Sequence, residues 1–220
     1  MPDPPAQSDV EQHLTGISHL LLQNEIPWAS TLAYLLCAHG RGLVTIFNPS
    51  PMPVDAQLHA FPWPSLSWLI VNEGEAESLL RVIGGNPQHH NIDDKEYPAN
   101  WPDDHNLKSA FSTLIKLCCS EPLASTSVVC TLGAAGVLAL IRGLREMIFL
   151  PVVALEGDVR DTTGAGDCFT GYFVAGLVQF GNNLLSKHEA VELLRFSVQV
   201  CQPRSKRTIS TQQFRQLGCV

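Results

Sequence analysis

The sequence predicts an α/β protein in which a mostly parallel, doubly wound sheet lies between two layers of helices. Short apolar runs at 17–23, 43–47 and 67–71 alternate with segments of helical periodicity. Strands that are apolar without alternation are typical of a parallel sheet that helices cover on both faces. Apolar residues make up 45% of the 220 residues and charged residues 16%, which is enough apolar material for a sizeable core.

Charge and cysteine content disfavour several functional classes. Fourteen Lys and Arg against 21 Asp and Glu give a net charge of -7, which disfavours nucleic acids and anionic membranes as partners. No apolar run approaches the roughly 18 residues of a membrane span, and residues 1–13 lack the basic and apolar parts of a signal peptide. The seven cysteines form no Cys-x-x-Cys pair and the eight histidines no His-Glu-x-x-His spacing. We therefore expect free thiols in the cytoplasm or the nucleus, and no zinc site.

The first elements are predicted from apolar periodicity and from Pro and Gly. Residues 1–16 are expected to form a flexible lead-in with a short helix from Asp9, and residues 17–220 a single domain. The first strand is followed by a helix that begins at Pro27 and ends near Gly40. The apolar residues predicted to share one face of this helix are Trp28, Leu32, Leu35 and Leu36.

The rest of the chain continues the alternation of strands and helices. Strands are predicted at 43–47, 67–71, 126–131, 137–141 and 152–156, and helices at 72–83, 107–118, 165–180 and 189–201. Residues 86–105 show no periodicity and are expected to form a loop insertion. Ligands of such sheets bind beyond the carboxyl ends of the strands. The turns that follow strands are therefore the candidates for function.

The sharpest signal is Asp-Thr-Thr-Gly-Ala-Gly-Asp at 161–167, between a predicted strand and a predicted helix. Glycine lets the backbone run close to a ligand, and the unpaired N–H groups of a helix start attract a phosphoryl group. We therefore expect an anion hole at Gly164, Ala165 and Gly166. Asp167, in the first turn, is placed to accept a proton from a hydroxyl that attacks phosphorus. The alternative is that Asp161 and Asp167 are ordinary turn carboxylates.

This heptapeptide is the hallmark of the ribokinase (PfkB-type) carbohydrate kinase family, which the chain resembles from about residue 17 onward. Four further motifs of that family occur in order: Leu-Leu-Leu-Gln-Asn-Glu-Ile-Pro at 20–27, Asn-Pro-Ser-Pro at 48–51, Asn-Glu-Gly-Glu-Ala-Glu at 72–77 and Thr-Leu-Gly-Ala-Ala-Gly at 131–136. Each short motif alone is a weak signal. Five motifs in the right order, on the right elements, are specific.

The resemblance implies a set of site residues and two metal ions. It implies that Asp167 is the catalytic base, that Glu25 and Asp167 bind the sugar, and that Glu75 holds Mg²⁺ through water. Asp161 and Thr163 match positions that bind a monovalent cation, which is expected to be K⁺. The implied ATP-binding residues are Asn72, Thr131, Leu132, Gly133, Ala134, Ala135, Gly136, Gly166 and Asp167.

Each motif also has a purely structural interpretation that the residues leave open. Residues 72–77 suit an ordinary helix start with negative charge at its N-terminus, and residues 131–136 suit a plain connection between two strands. Glu25, if buried, needs a partner, which is either a sugar hydroxyl or a backbone or Arg group of the protein. The segment 201–210 lacks the Gly of the family's cation site and carries two basic residues close to it.

The activity that the resemblance implies is transfer of the γ-phosphoryl group of ATP to a hydroxymethyl group of a sugar. Residues 20–27 are similar to the ribokinase version of their motif, which favours the 5-hydroxyl of ribose over fructose or adenosine. Family members begin with a half that carries a Gly-Gly sugar motif and a small β-sheet lid, whereas the resemblance here starts in the middle of that pattern. We therefore expect a fold truncated at its N-terminus, without the lid, and a poor kinase when alone.

Other interpretations stay open. Three interpretations are open: the chain is a ribose kinase, a non-catalytic nucleotide-binding protein that partners a full-length subunit, or a kinase of this family for another sugar or nucleoside. A homodimer is open too, although the lid often forms the dimer contact in this family. A Rossmann-type dehydrogenase is disfavoured, because no Gly-x-Gly-x-x-Gly follows the first strand. Turnover of ATP with ribose, against ATP binding alone, separates the first two interpretations.

Overall fold

The structure, a computed structural model, describes residues 5–84, 97–144, 146–152, 164–181 and 183–200. In these residues six strands form one sheet, in the order β1 to β6. They are β1 His19–Gln23, β2 Val44–Asn48, β3 Trp68–Asn72, β4 Ser127–Thr131, β5 Val137–Leu140 and β6 Ile148–Leu150. β1 to β4 are parallel, and β5 and β6 are antiparallel to their neighbours. The predicted mostly parallel sheet is thus confirmed.

Seven α-helices lie in the described part of the chain. They are α1 Gln7–His13, α2 Trp28–Gly40, α3 Asp55–His59, α4 Glu73–Ile83, α5 His105–Cys118, α6 Ala165–Leu177 and α7 Lys187–Val200. Short 3₁₀ turns lie at Trp63–Ser65, Glu121–Leu123, Gly133–Ala135 and Val178–Phe180. α5 begins two residues earlier than predicted because the Asp104 carboxylate caps it, accepting from the N–H of Leu107. None of these helices is long and apolar enough to cross a membrane.

Alternation of side chains along the strands divides the core into two clusters. Phe47 and Leu69 pack in one cluster with buried residues of α2 to α5, whereas Trp68 and Ile70 pack in the other with α6 and α7. On the second face the Trp68 ring meets Phe173 of α6 edge-on, with ring centroids 5.3 Å apart. Because successive strand residues point to opposite faces, a strand buried on both sides needs apolar residues throughout. The three layers predicted from the apolar runs are therefore confirmed.

The segment expected to be a lead-in with a short helix contains the helix α1. α1 begins at Gln7, two residues before the predicted start at Asp9. Val10 and Leu14 are each only 2% exposed and pack with Ala38 of α2. Val10 of this helix and Leu14, the residue that caps its C-terminus, therefore pack against α2.

The structure adds one strand that was not predicted and corrects one predicted helix face, while two predicted segments lie partly outside the described residues. β6 is not among the predicted strands, because three residues are too few to show a pattern; it pairs with β5. Leu36 is 51% exposed, and Thr31 and Ala38 face the core from α2 in its place. Most of the predicted strand 152–156 lies outside the described residues, as do 86–96 of the predicted loop.

Candidate active site

The carboxyl ends of the parallel strands form one edge of the sheet. Gln23, Asn48, Asn72 and Thr131 are the last residues of β1, β2, β3 and β4. Gln23 is in register with Asn48, and Asn72 with Thr131. The turns that begin after β3 and β4 therefore lie side by side at this edge.

Asp167 reaches the same edge from α6. Its Oδ1 accepts a hydrogen bond of 3.1 Å from Nε2 of Gln23, the last residue of β1. The turn 164–167 is thereby brought to the edge at which Asn72 and Thr131 end their strands. The three candidate turns after β3, after β4 and at the start of α6 therefore lie at one edge of the sheet, its carboxyl edge.

The start of α6 presents backbone N–H groups. Gly164 precedes the helix with φ 76°, in the left-handed region that favours glycine. Its carbonyl oxygen accepts from the N–H of Cys168 at 2.9 Å. Among the residues that the structure describes, none has a heavy atom within 4 Å of a Cβ added at Gly166, so on their side the space beside it is open. The first N–H groups of a helix have no intrahelical acceptor and carry the positive end of its dipole, which suits a phosphoryl oxygen.

The turn between β4 and β5 divides into an open part and a packed part. Residues 133–135 are exposed, whereas Leu132 is only 4% exposed and therefore offers a ligand almost no surface. The N–H of Leu132 donates to the carbonyl oxygen of Gly136 at 2.8 Å, which closes the turn. At Gly136 an added Cβ would lie 2.1 Å from the carbonyl oxygen of Leu150. Packing against the end of β6 thus requires this glycine, whatever the turn binds.

Asn72 and Glu75 form a capping box at the start of α4. The Asn72 side chain accepts from the N–H of Glu75, and Glu75 Oε2 accepts from the N–H of Asn72, both at 2.9 Å. Glu75 is half-buried, and burial raises the pKa of its carboxyl, opposed by hydrogen bonds from Asn72 and from Ser50. These hydrogen bonds account for residues 72–75 as an ordinary helix start, without any ligand. Because Ser50 follows β2, Glu75 also links the turns after β2 and β3.

Glu25 is placed differently from the expectation of a buried strand end. β1 ends at Gln23, and Glu25 is exposed in the turn that follows. Asn24 anchors this turn, since its side chain donates to the carbonyl oxygen of Pro51 at 2.8 Å. An exposed carboxylate needs no partner from the protein, so Glu25 is open to a ligand at the carboxyl edge. The two remaining site residues, Asp161 and Thr163, lie outside the described residues, as does segment 201–210.

Two residues at this edge were not among the predicted site residues. Gln23 Nε2 donates to Asn48 Oδ1 at 2.9 Å, and Asn48 Nδ2 donates to the carbonyl oxygen of Ile70 at 2.8 Å. Asn48 is only 8% exposed, so its amide belongs to the interior. The available sequence signal was an amide side chain at the last position of each of these two strands.

Comparison with known proteins identifies the family. The family model of the pfkB family carbohydrate kinases matches residues 6–202 of the chain. The protein belongs to this family. Its match covers all five sequence motifs and every described element from α1 to α7.

Individual relatives of this family are ribokinases. Mouse (Mus musculus) ribokinase is 29% identical over 177 residues, which are 80% of this chain and 46% of the relative. The crystal structure of a ribokinase from Cryptococcus neoformans var. grubii serotype A in complex with ADP is 40% identical, with a TM-score of 0.69, over 86% of this chain and 54% of that one. The structure of Arabidopsis thaliana ribokinase complexed with ribose and ATP, at 22% identity and a TM-score of 0.57, covers 91% of this chain and 53% of that one and shows the fold alone. The chain spans about half the length of these relatives.

Proposed function

We propose that the protein is an ATP-dependent sugar kinase in which Asp167 is the general base. The observation that carries this proposal is the convergence of Asp167, the open start of α6 and the turns after β3 and β4 at one edge of the sheet. Membership of a carbohydrate kinase family supports the chemistry. In the reaction, the sugar hydroxyl oxygen bonds to the γ-phosphorus, the bond from that phosphorus to the bridging oxygen of ADP breaks, and the hydroxyl proton passes to Asp167.

The chain's own groups at this edge would supply part of what this transfer needs. Phosphoryl transfer depends mainly on positioning and on stabilising the charge of the transferring group. The N–H groups at 164–166 belong to the first turn of α6 and the residue before it, where they would donate to the phosphoryl oxygens. Asp167 is exposed beside them, so a hydroxyl group can reach its carboxylate. The exposed backbone at 133–135, together with Asn72, would support the nucleotide.

Mg²⁺ and K⁺ are the ions proposed for this site. Mg²⁺ keeps several waters and is usually bound by one or two carboxylates and the substrate phosphates. In the described residues no group of three or more His, Cys, Asp or Glu is placed to hold a metal ion. Glu75 therefore fits as a single carboxylate that acts through water, where the ion would neutralise charge on the phosphates. The proposed K⁺ ligands, Asp161 and Thr163, lie outside the described residues.

Ribose is the sugar that we propose. The 40% identity to a fungal ribokinase and the 29% identity to mouse ribokinase support it, as does the motif at 20–27. Glu25, exposed two residues after the strand that ends beside Asp167, is the proposed contact to a sugar hydroxyl.

The test is product formation by the purified chain with ATP, Mg²⁺ and one of ribose, fructose or adenosine. Phosphorus NMR identifies the phosphorylated product and a coupled assay follows ADP. We expect ribose to give the largest rate, and Glu25→Gln to raise the KM for ribose while ATP affinity is unchanged. The matched control is Glu121→Gln, a carboxamide exchange in a 3₁₀ turn between α5 and β4. ADP release at one rate with and without every sugar would overturn the proposal.

The second candidate is a nucleotide-binding protein without transfer activity. Calorimetry with ATP separates the two candidates. Saturable ATP binding without any phosphorylated sugar would support the second, whereas sugar phosphate formation supports the first.

A further inference from the structure

A line of hydrogen bonds connects the interior of the sheet to Asp167. It starts at the carbonyl oxygen of Ile70 in β3, which accepts from Asn48 Nδ2 at 2.8 Å. Asn48 Oδ1 accepts from Gln23 Nε2 at 2.9 Å. The same Nε2 donates to Asp167 Oδ1 at 3.1 Å. Three neighbouring strands therefore contribute to the position of one carboxylate on α6.

The donor and the acceptor of each hydrogen bond in this line follow from the carbonyl oxygen of Ile70, with which the line begins. A carbonyl oxygen only accepts, so the amide nitrogen of Asn48 must face Ile70 and its oxygen must face Gln23. That oxygen requires a donor, so the nitrogen of the Gln23 amide faces Asn48. The second hydrogen of this nitrogen is then directed at Asp167. Because Asn48 is 8% exposed, water competes little for the inner bonds, and the outward donor is set by the core.

We propose that Gln23 is a positioning residue for Asp167, a role that rests on the proposed function. Its amide holds Oδ1, so that Oδ2 is presented to the sugar hydroxyl. An Asp side chain in the exposed first turn of a helix otherwise samples several rotamers, and a misplacement of about 1 Å costs about 100-fold in rate. An Arg or Lys in place of Gln23 would favour the ionised carboxylate through its full charge and so oppose proton uptake. A neutral amide orients the carboxylate without that charge.

The first measurement needs no turnover. In the ¹⁵N-labelled chain, the side-chain amide signals of Gln23 are assigned by their loss in Gln23→Glu, which has no amide nitrogen. We expect Asp167→Ala to shift these signals and to accelerate their exchange with water, because one of the two hydrogens loses its acceptor. The control is Asp9→Ala in α1, which should leave the Gln23 signals in place. If the Gln23 amide signals keep the same chemical shifts and the same exchange rates with water in Asp167→Ala, the proposal is overturned.

The second measurement is kinetic. Gln23→Leu removes both donors, and Gln23→Met does so with an unbranched side chain in case the Leu variant folds poorly. We expect kcat to fall about 10- to 100-fold while the KM values for ATP and sugar stay within about twofold, and Gln23→Glu, which sets an oxygen against the carboxylate, to lose more. The same substitution at an exposed helix position, Gln12→Leu, should leave kcat unchanged.

A double-mutant cycle separates positioning from a structural role. In the Asp167→Asn background the loss caused by Gln23→Leu should disappear, because Gln23 acts through the carboxylate. A loss that persists in full in that background, or that appears only in KM, would overturn the proposal. If the unaltered chain transfers no phosphoryl group, the proposed function fails, and the amide signals alone decide whether Gln23 holds Asp167.

Discussion

The substitution Gly136→Ala is expected to destabilise the fold through one identifiable contact. Gly136 precedes β5 with φ 125° and ψ -137°, a conformation that side-chain-bearing residues rarely adopt. A Cβ there would lie 2.1 Å from the carbonyl oxygen of Leu150 and 2.8 Å from the Cα of Pro151. Both atoms are backbone, so no side-chain rotation relieves the contact. The end of β6 would have to move away from the turn.

The magnitude follows from two contributions. Holding a residue other than glycine in such a conformation costs about 1–3 kcal/mol, and overpacking of a close contact costs about 1–3 kcal/mol. Together they give about 2–6 kcal/mol, a large share of the 5–15 kcal/mol that ordinary domains possess. Gly133, in the same turn, is the matched control. Its φ is 54° and an added Cβ meets no atom of the described part of the chain within 4 Å, so Gly133→Ala should cost only about 1–2 kcal/mol.

Urea unfolding followed by tryptophan fluorescence measures the difference. The chain has four tryptophans, and Trp63 and Trp68 are buried, so their emission reports on both faces of the sheet. With an m value of about 1–3 kcal/mol/M, Gly136→Ala should lower the midpoint by about 1 M or more, and clearly further than Gly133→Ala does. Equal midpoints for the two variants would refute the reasoning, because the backbone contact is what distinguishes them.

Three further outcomes are expected at the carboxyl edge. Asp167→Asn should lower phosphoryl transfer by about 10²–10⁴ and leave calorimetric ATP affinity nearly intact, because backbone N–H groups rather than this carboxylate are proposed to hold the phosphates. Gly166→Ala should do the reverse. The added methyl group meets no atom of the described residues within 4 Å, so the melting temperature should hold while ATP affinity falls. Unchanged ATP affinity in both variants with an equal loss of rate would contradict both assignments. Burial raises the pKa of Glu75 above its ordinary value of 4.5, so its contribution to stability is present below that value and is lost as pH rises through the raised pKa. Between pH 4 and pH 8, the urea midpoint of the wild type should therefore fall relative to that of Glu75→Gln as pH rises. A rise of the wild-type midpoint relative to the variant would exclude this account.

Local pattern was enough to predict most of the architecture. The apolar runs that correspond to β2 and β3 predicted strands that are buried on both faces. Phe47 and Ile70 pack on opposite faces of the sheet, in agreement with that prediction. Residues 131–136 predicted a short connection between strands at 126–131 and 137–141, and β4 and β5 pair antiparallel on either side of it. Parallel strands with helical crossovers then placed the turns 72–75 and 164–167 at one edge. These features depend on residues close together in the sequence, where composition and periodicity are visible.

Other features depend on residues far apart in the chain, and the sequence by itself did not reveal them. Gln23 and Asp167 are 144 residues apart, and nothing local in either segment indicates that an amide of β1 holds the carboxylate of α6. Gly136 was assigned to a nucleotide turn, but the backbone of Leu150, in a three-residue strand too short to predict, is what excludes a side chain there. The amino-acid sequence alone determined the family, the layers and the edge of the sheet at which the motifs meet. Tertiary packing decided which side chains at that edge touch each other, because a contact between distant residues depends on how whole elements pack and leaves no periodic trace in the chain.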